Sequence, residues 1–209
     1  MSLKKFLLAG AALLALGGIA ASQVNTVPQV GLITSILKTP TYTAMAVGLV
    51  PASAATDLFC ISAGASKNIG IKRLIVSGTA GTAITTPFLV YTRSALDTGG
   101  TAATSLALPV AVPLMPSDPA STAVLTAYTA NPTVAATPLL MGALQVNLPV
   151  TTAAGSAVET VREWGTTVDM FNHSLNIIKG TTNQICVNLN GVTVSSGVLN
   201  ISIQWTESP

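Results

Sequence analysis

The sequence predicts an all-β protein, a β-sandwich or jelly roll of eight to ten short strands, preceded by an N-terminal hydrophobic helix and an extended arm. Three observations predict it. Short apolar runs recur through residues 57–209 between Gly, Pro and Asn clusters, the pattern of strands joined by turns. Seven prolines fall between residues 101 and 150, a density that no helix tolerates. The last run, Leu199–Trp205, alternates without a break, so that Leu199, Ile201, Ile203 and Trp205 face a core and Asn200, Ser202 and Gln204 face out.

The elements follow in order. Residues 1–22 have the layout of a secretory signal: Lys4 and Lys5, an apolar run of 11 residues from Phe6 to Leu16, then small residues up to Ala20-x-Ser22. The run is short of the ~20 apolar residues of a comfortable membrane span. Three fates stay open for it: a cleaved signal peptide, a membrane anchor, or an apolar peg buried in an assembly. Residues 23–56 are broken by Pro28, Pro40 and Pro51 and are expected to form an extended arm or linker with one or two short strands, packed on something else.

The sandwich domain is expected over residues 57–209. Asp57–Ser62 is a compact strand, Lys67–Ser77 a second with partial alternation, and Thr85–Thr92 a third whose start Pro87 demotes to an edge or bulge. Leu96–Gly100 is a turn cluster. Further β-like runs are Leu106–Val112, Ala123–Tyr128, Leu139–Leu148, Leu175–Ile178 and Gln184–Leu189, while Val158–Trp164 fits a strand or a helical turn. Asn190-Gly191 favours a tight turn, since both residues tolerate positive φ.

Composition bounds the function. Of the 209 residues, 49% are hydrophobic and only 8% charged, against roughly 25% charged in average domains. Beyond residue 22 there are seven basic and seven acidic residues, so this part is neutral and lacks the basic footprint of a nucleic-acid binder. Lys72-Arg73 is the only adjacent basic pair in it, suited to a sheet edge or an acidic partner.

Groups able to do chemistry are sparse. His173 with Asp169 fits no nucleophilic motif, and there is no Gly-x-Ser-x-Gly. Glu159 and Glu163 share one short segment with Arg162 between them, which suits a solvated face or an ion pair better than a glycosidase pair. Asp97 and Asp118 are isolated turn formers without the clustered oxygens of a calcium site. Among the aromatic residues (Phe59, Phe88, Tyr91, Tyr128, Trp164, Phe171, Trp205), Trp205 is expected in the core rather than on a carbohydrate-binding platform, and Trp164 beside Gly165 is open. Cys60 and Cys186 lie on separate strands 126 positions apart: they form one disulfide or stay two small buried thiols. No cofactor or metal set is predicted, and the protein is not expected to be an enzyme.

Residues 57–207 resemble a set of small jelly-roll, TNF-like structural virion proteins of tailed bacteriophages. The likeness is carried by Ile71–Ala80, Arg93–Thr101, Ser117–Ala120 with Ala127–Thr133, Val187–Val194 and Leu199–Glu207, over roughly three-quarters of the chain. It implies a virion surface or vertex protein, such as a capsid-decoration, fibre or minor capsid component. Its partners would be its own copies, a trimer among the options, and other virion proteins, with membrane contact only through residues 1–22. The signal-like N-terminus departs from that pattern. The reading from another class is an exported surface protein or carbohydrate-binding module, secreted or membrane-anchored.

Overall fold

The computed structural model describes residues 39–134, 138–150, 158–164 and 177–209. The signal-like segment, the arm up to residue 38, and Asp169, Phe171 and His173 lie outside the described residues.

Twelve strands are present among them: β1 (Thr41–Leu49), β2 (Ala55–Ser62), β3 (Asn68–Thr79), β4 (Ile84–Arg93), β5 (Thr101–Ala102), β6 (Val112–Pro113), β7 (Val124–Ala130), β8 (Leu139–Leu148), β9 (Thr160–Glu163), β10 (Ile177–Lys179), β11 (Gln184–Val192) and β12 (Val198–Ser208). A single 3₁₀ turn covers Ser105–Ala107.

The strands form two antiparallel sheets. The first runs β10-β3-β12-β1-β6, with β9 also on β3; the second runs β5-β7-β2-β11-β4-β8. One set of pairings is nested: β1 with β12, β2 with β11, β3 with β9 and β10, and β4 with β8. Successive nested pairs alternate between the sheets, which suits a protein whose two sheet faces must bury each other.

The core between the sheets follows from period-2 alternation. Leu199, Ile201, Ile203 and Trp205 of β12 are all buried, facing Phe59 and Ile61 of β2, Phe88 of β4 and Leu148 of β8 within one cluster. Tyr42 stacks on Trp205, with ring centroids 5.7 Å apart and planes 26° from parallel, a contact favourable beyond the area it buries.

Pro87 lies in β4 where β8 still pairs but β11 has ended its pairing at Leu89, so its missing N–H costs no bond to β11.

β1 is a strand of the kind expected within residues 23–56, and its pairing along β12 places residues 39–56 in one compact unit with residues 57–209. Between its buried ends Tyr42 and Leu49 the core takes Ala44 and Ala46 while Met45 and Val47 face out, so the apolar alternation that marks a strand is inverted there. Gly48, at φ +72°, forms a bulge opposite β12, where its N–H donates to Asn200 Oδ1 at 2.9 Å.

Asn190 and Gly191 do take positive φ, +52° and +79°, yet they form a kink inside β11 rather than a hairpin turn. Because β11 and β12 belong to different sheets, no tight hairpin can join them; the chain reverses later, where Gly197 N–H donates to Val194 O. Leu106–Val112, expected to be β-like, is a 3₁₀ turn and an extended stretch that pairs only from Val112, as the two-residue β6.

Candidate functional site

The outer face of the second sheet carries a buried polar layer. Asp57 and Cys60 of β2, Cys186 and Asn188 of β11, Arg93 of β4 and Tyr128 of β7 are all buried there, apart from the main core. The strand register makes Cys60 and Cys186 direct cross-strand partners, with Cα atoms 4.1 Å apart, and their sulfurs are bonded.

The segment after Arg93 closes over this layer. It is strapped to residues 127–133 by Thr98 N–H to Thr133 O, Thr133 N–H to Thr98 O, and Ala103 N–H to Ala127 O. This brings Asp97 in, its side chain fully buried, with Oδ2 at 3.5 Å from Cys60 Sγ and 4.0 Å from Cys186 Sγ.

Arg93 organises the charges. Its Nε donates to Asp57 Oδ2 at 2.6 Å and its Nη2 to Asp57 Oδ1 at 2.8 Å, a two-pronged pair that matches guanidinium to carboxylate. Its Nε lies 3.9 Å from Asp97 Oδ1, and its Cζ stands 5.4 Å over the Tyr91 ring. Asn188 Nδ2 also donates to Asp57 Oδ1. Two carboxylates thus face one guanidinium in a dry setting. Burial, then Asp97 and Asp57, push the Tyr128 phenol up, so it stays neutral as a wall of the cluster.

A second buried carboxylate, Glu207 at the end of β12, has a structural role. It accepts from Ser121 Oγ, from Thr122 N–H and Oγ1, from Ala123 N–H and from Trp205 Nε1. It fixes the 119–123 loop over the end of the sandwich, where Tyr42 O–H also donates to Pro119 O at 3.1 Å. Burial alone would raise its pKa, but the donated bonds outweigh that and hold the carboxyl below its usual range.

The third feature is apolar. From Leu106 to Leu114 the alternation runs backwards: Leu106, Leu108, Val110, Val112 and Leu114 are exposed, and Leu106 reaches 78%. Between them Ala107, Pro109, Ala111 and Pro113 are buried or half-buried. Met115 continues the exposed row, and it is flanked by Met45 and Val47 of β1, which the 3₁₀ turn and β6 adjoin, and by Val50 just after that strand. No charged residue occurs between Asp97 and Asp118. Large exposed aliphatic patches of this kind mark contact surfaces.

The outer face of the first sheet has a groove of about 190 Å³, lined by Met45, Val47, Ile75, Ser77, Glu159, Asn200 and Ser202. That is below the roughly 300–1,000 Å³ of small-molecule sites.

The residues singled out from sequence scatter. Glu163 pairs with Arg73 across β9 and β3 at 3.6 Å, on the surface, and Glu159 lines the groove. Asp118 lies in a turn closed by its own N–H to Met115 O. Trp205 is core, and Trp164 is buried with the Arg162 guanidinium 5.4 Å over its ring. Asp97 is more than a turn former, because the loop folds it onto the cysteines. Sequence reasoning missed Asp57, Arg93 and Asn188. Their one signal was polar residues at strand positions where apolar ones are usual. No protein-family model, curated protein or solved structure matches this chain.

Proposed function

We propose that the protein is a structural component of a bacteriophage virion, with a jelly-roll body that assembles with its own copies through the outward aliphatic face. The nested pairing supports the jelly roll: one long antiparallel ribbon, β1–β4 against β8–β12, rolled so that successive pairs fall in alternate sheets. The observation that carries the assembly reading is the inverted alternation of Leu106–Leu114. Together with Met115 and the three β1-side residues it offers an area on the order of 800 Å², what one partner brings to a standard interface. The 98–117 segment at the centre of this face carries no charge, with Glu159 only beside Met45 and Val47 at the edge, and so suits a copy of itself, since charges are depleted at interface cores. Apolar contact, not side-chain catalysis, then performs the work.

The experiment is sedimentation of the full chain beside the Leu106→Asp/Val110→Asp variant. The wild type is expected to be oligomeric and the variant monomeric and folded. A monomeric wild type, or an unaltered oligomer in the variant, would refute the assembly face. Detection of the chain by mass spectrometry in purified particles tests the virion role separately.

The Cys60–Cys186 bond favours a second reading, an exported surface protein or carbohydrate-binding module, because disulfides persist in oxidising compartments. Intact mass distinguishes the two, since export predicts loss of the first ~22 residues.

A further inference from the structure

The polar layer beneath the Asp97 loop brings a carboxylate against the disulfide. Asp97 Oδ2 faces both sulfurs, at 3.5 and 4.0 Å, yet a bonded sulfur has no proton to donate to it. The ligand atoms of Asp57, Cys60, Asp97 and Cys186 all lie within 4.8 Å of one another. We propose that this is a redox-gated site for a thiophilic divalent cation of the zinc class: once the disulfide is reduced, Cys60, Cys186 and Asp97 ligate the metal, and Asp57, held by Arg93, backs the site.

The geometry is close to what such a site needs. With Zn–S of ~2.3 Å and Zn–O of ~2.1 Å, a tetrahedral centre places sulfur and oxygen about 3.6 Å apart and the two sulfurs about 3.8 Å apart. Asp97 Oδ2 already stands at nearly the first separation from each sulfur. Only the sulfurs must part, and they sit on adjacent strands as direct partners.

The chemistry balances. A dithiol reductant supplies two electrons and two protons to the S–S bond and leaves as its own disulfide, giving two Cys thiols. The cation then displaces both thiol protons to solvent and forms two metal–sulfur bonds and one metal–oxygen bond. The charge balances as well. Two added thiolates and one divalent cation cancel, so the excess of one negative charge from Asp57, Asp97 and Arg93 is unchanged. Paired thiolates select zinc-class ions over magnesium or calcium. Arg93, clamped on Asp57, stands 3.9 Å from Asp97 Oδ1, the place of the outer-shell support that such centres use to orient a ligand.

The test uses the full chain, oxidised or reduced by a phosphine, which delivers the same two electrons as a dithiol. Co²⁺ is the probe, and circular dichroism reports the β structure throughout. The reduced protein is expected to bind one equivalent with a thiolate-to-cobalt charge-transfer band that Zn²⁺ displaces, while the oxidised protein binds none. Asp97→Asn should weaken binding by at least about tenfold, and Cys60→Ser/Cys186→Ser should abolish the band. The proposal is overturned if the reduced, folded chain takes up no metal, or if Asp97→Asn binds as the wild type does. It is equally overturned if reduction unfolds the chain and Zn²⁺ does not restore the β signal.

Discussion

Glu207→Gln isolates one buried carboxylate without changing its shape. Four side-chain and backbone groups donate to Oε1, from Ser121, Thr122, Ala123 and Trp205, and Thr122 donates through both N–H and hydroxyl to Oε2. In the Gln variant one oxygen becomes an NH₂. If the amide oxygen keeps the first set, the NH₂ faces the Thr122 N–H donor to donor, the Thr122 hydroxyl must turn to accept from it, and the charge that strengthened every bond is gone. Hydrogen bonds to charged groups contribute about 1.5–3 kcal/mol each, and a stranded buried donor costs about 1–3, so a loss of about 2–3 kcal/mol at neutral pH is expected. In urea this moves the midpoint down by roughly 1 M for a slope of about 2–3 kcal/mol/M.

The pH dependence carries a sign. The folded Glu207 titrates below its ordinary value, so the carboxylate's stabilisation is complete above the unfolded carboxyl pKa of roughly 4.3 and fades as pH falls through the lower folded value. The difference between wild type and variant should therefore persist down to about pH 5 and close in strong acid. Urea titrations followed by Trp fluorescence across that range measure it. A variant within about 0.5 kcal/mol of wild type at pH 7, or a gap independent of pH, would refute the reasoning.

Three further outcomes follow from local packing. A Cβ on Gly78 would stand 2.4 Å from Val198 O and 2.9 Å from Leu199 Cδ2, so Gly78→Ala must push β3 from β12 and should cost about 1–3 kcal/mol, read as a fall in Tm of several degrees. Arg93→Met strands the Asp57 and Asp97 carboxylates in the polar layer and should cost about 3–5 kcal/mol; adding Asp57→Leu should recover only part of that, because Asp97 stays buried, and chemical denaturation of both variants checks the order. Thr86 is buried with its hydroxyl lacking a hydrogen-bond partner, so Thr86→Val should stabilise by about 1 kcal/mol, and a lowered Tm would contradict it.

Where one face of a strand meets the core with large residues, the chain itself announced the strand. β8 occupies Leu139–Leu148 as its alternation indicates, and β12 buries each of the four residues assigned inward. The rule failed where tertiary contacts reversed it. In β1 the core takes Ala44 and Ala46 and leaves Met45 outside, and in 106–114 it takes prolines and alanines while the larger side chains remain exposed. No local pattern separates a strand facing its own core from one that turns its larger side chains away.

The polar layer was hidden for a different reason. Asp57, the Arg93–Asp97 segment and Asn188 are separated by long stretches of chain, and each residue reads alone as a solvated or turn residue. Their meeting depends on β2, β11 and β4 being neighbours in that order, and on the loop after β4 folding back over them. Likewise the two cysteines left pairing and independence equally open, and the register of β11 on β2 places them opposite one another. From its sequence alone the protein is legible as an all-β, charge-poor chain, because alternation, proline spacing and composition act locally. Strand order, the identity of the outward face and the gathering of charge beneath a loop are set only by folding, because they depend on which distant segments share a hydrogen-bonded edge.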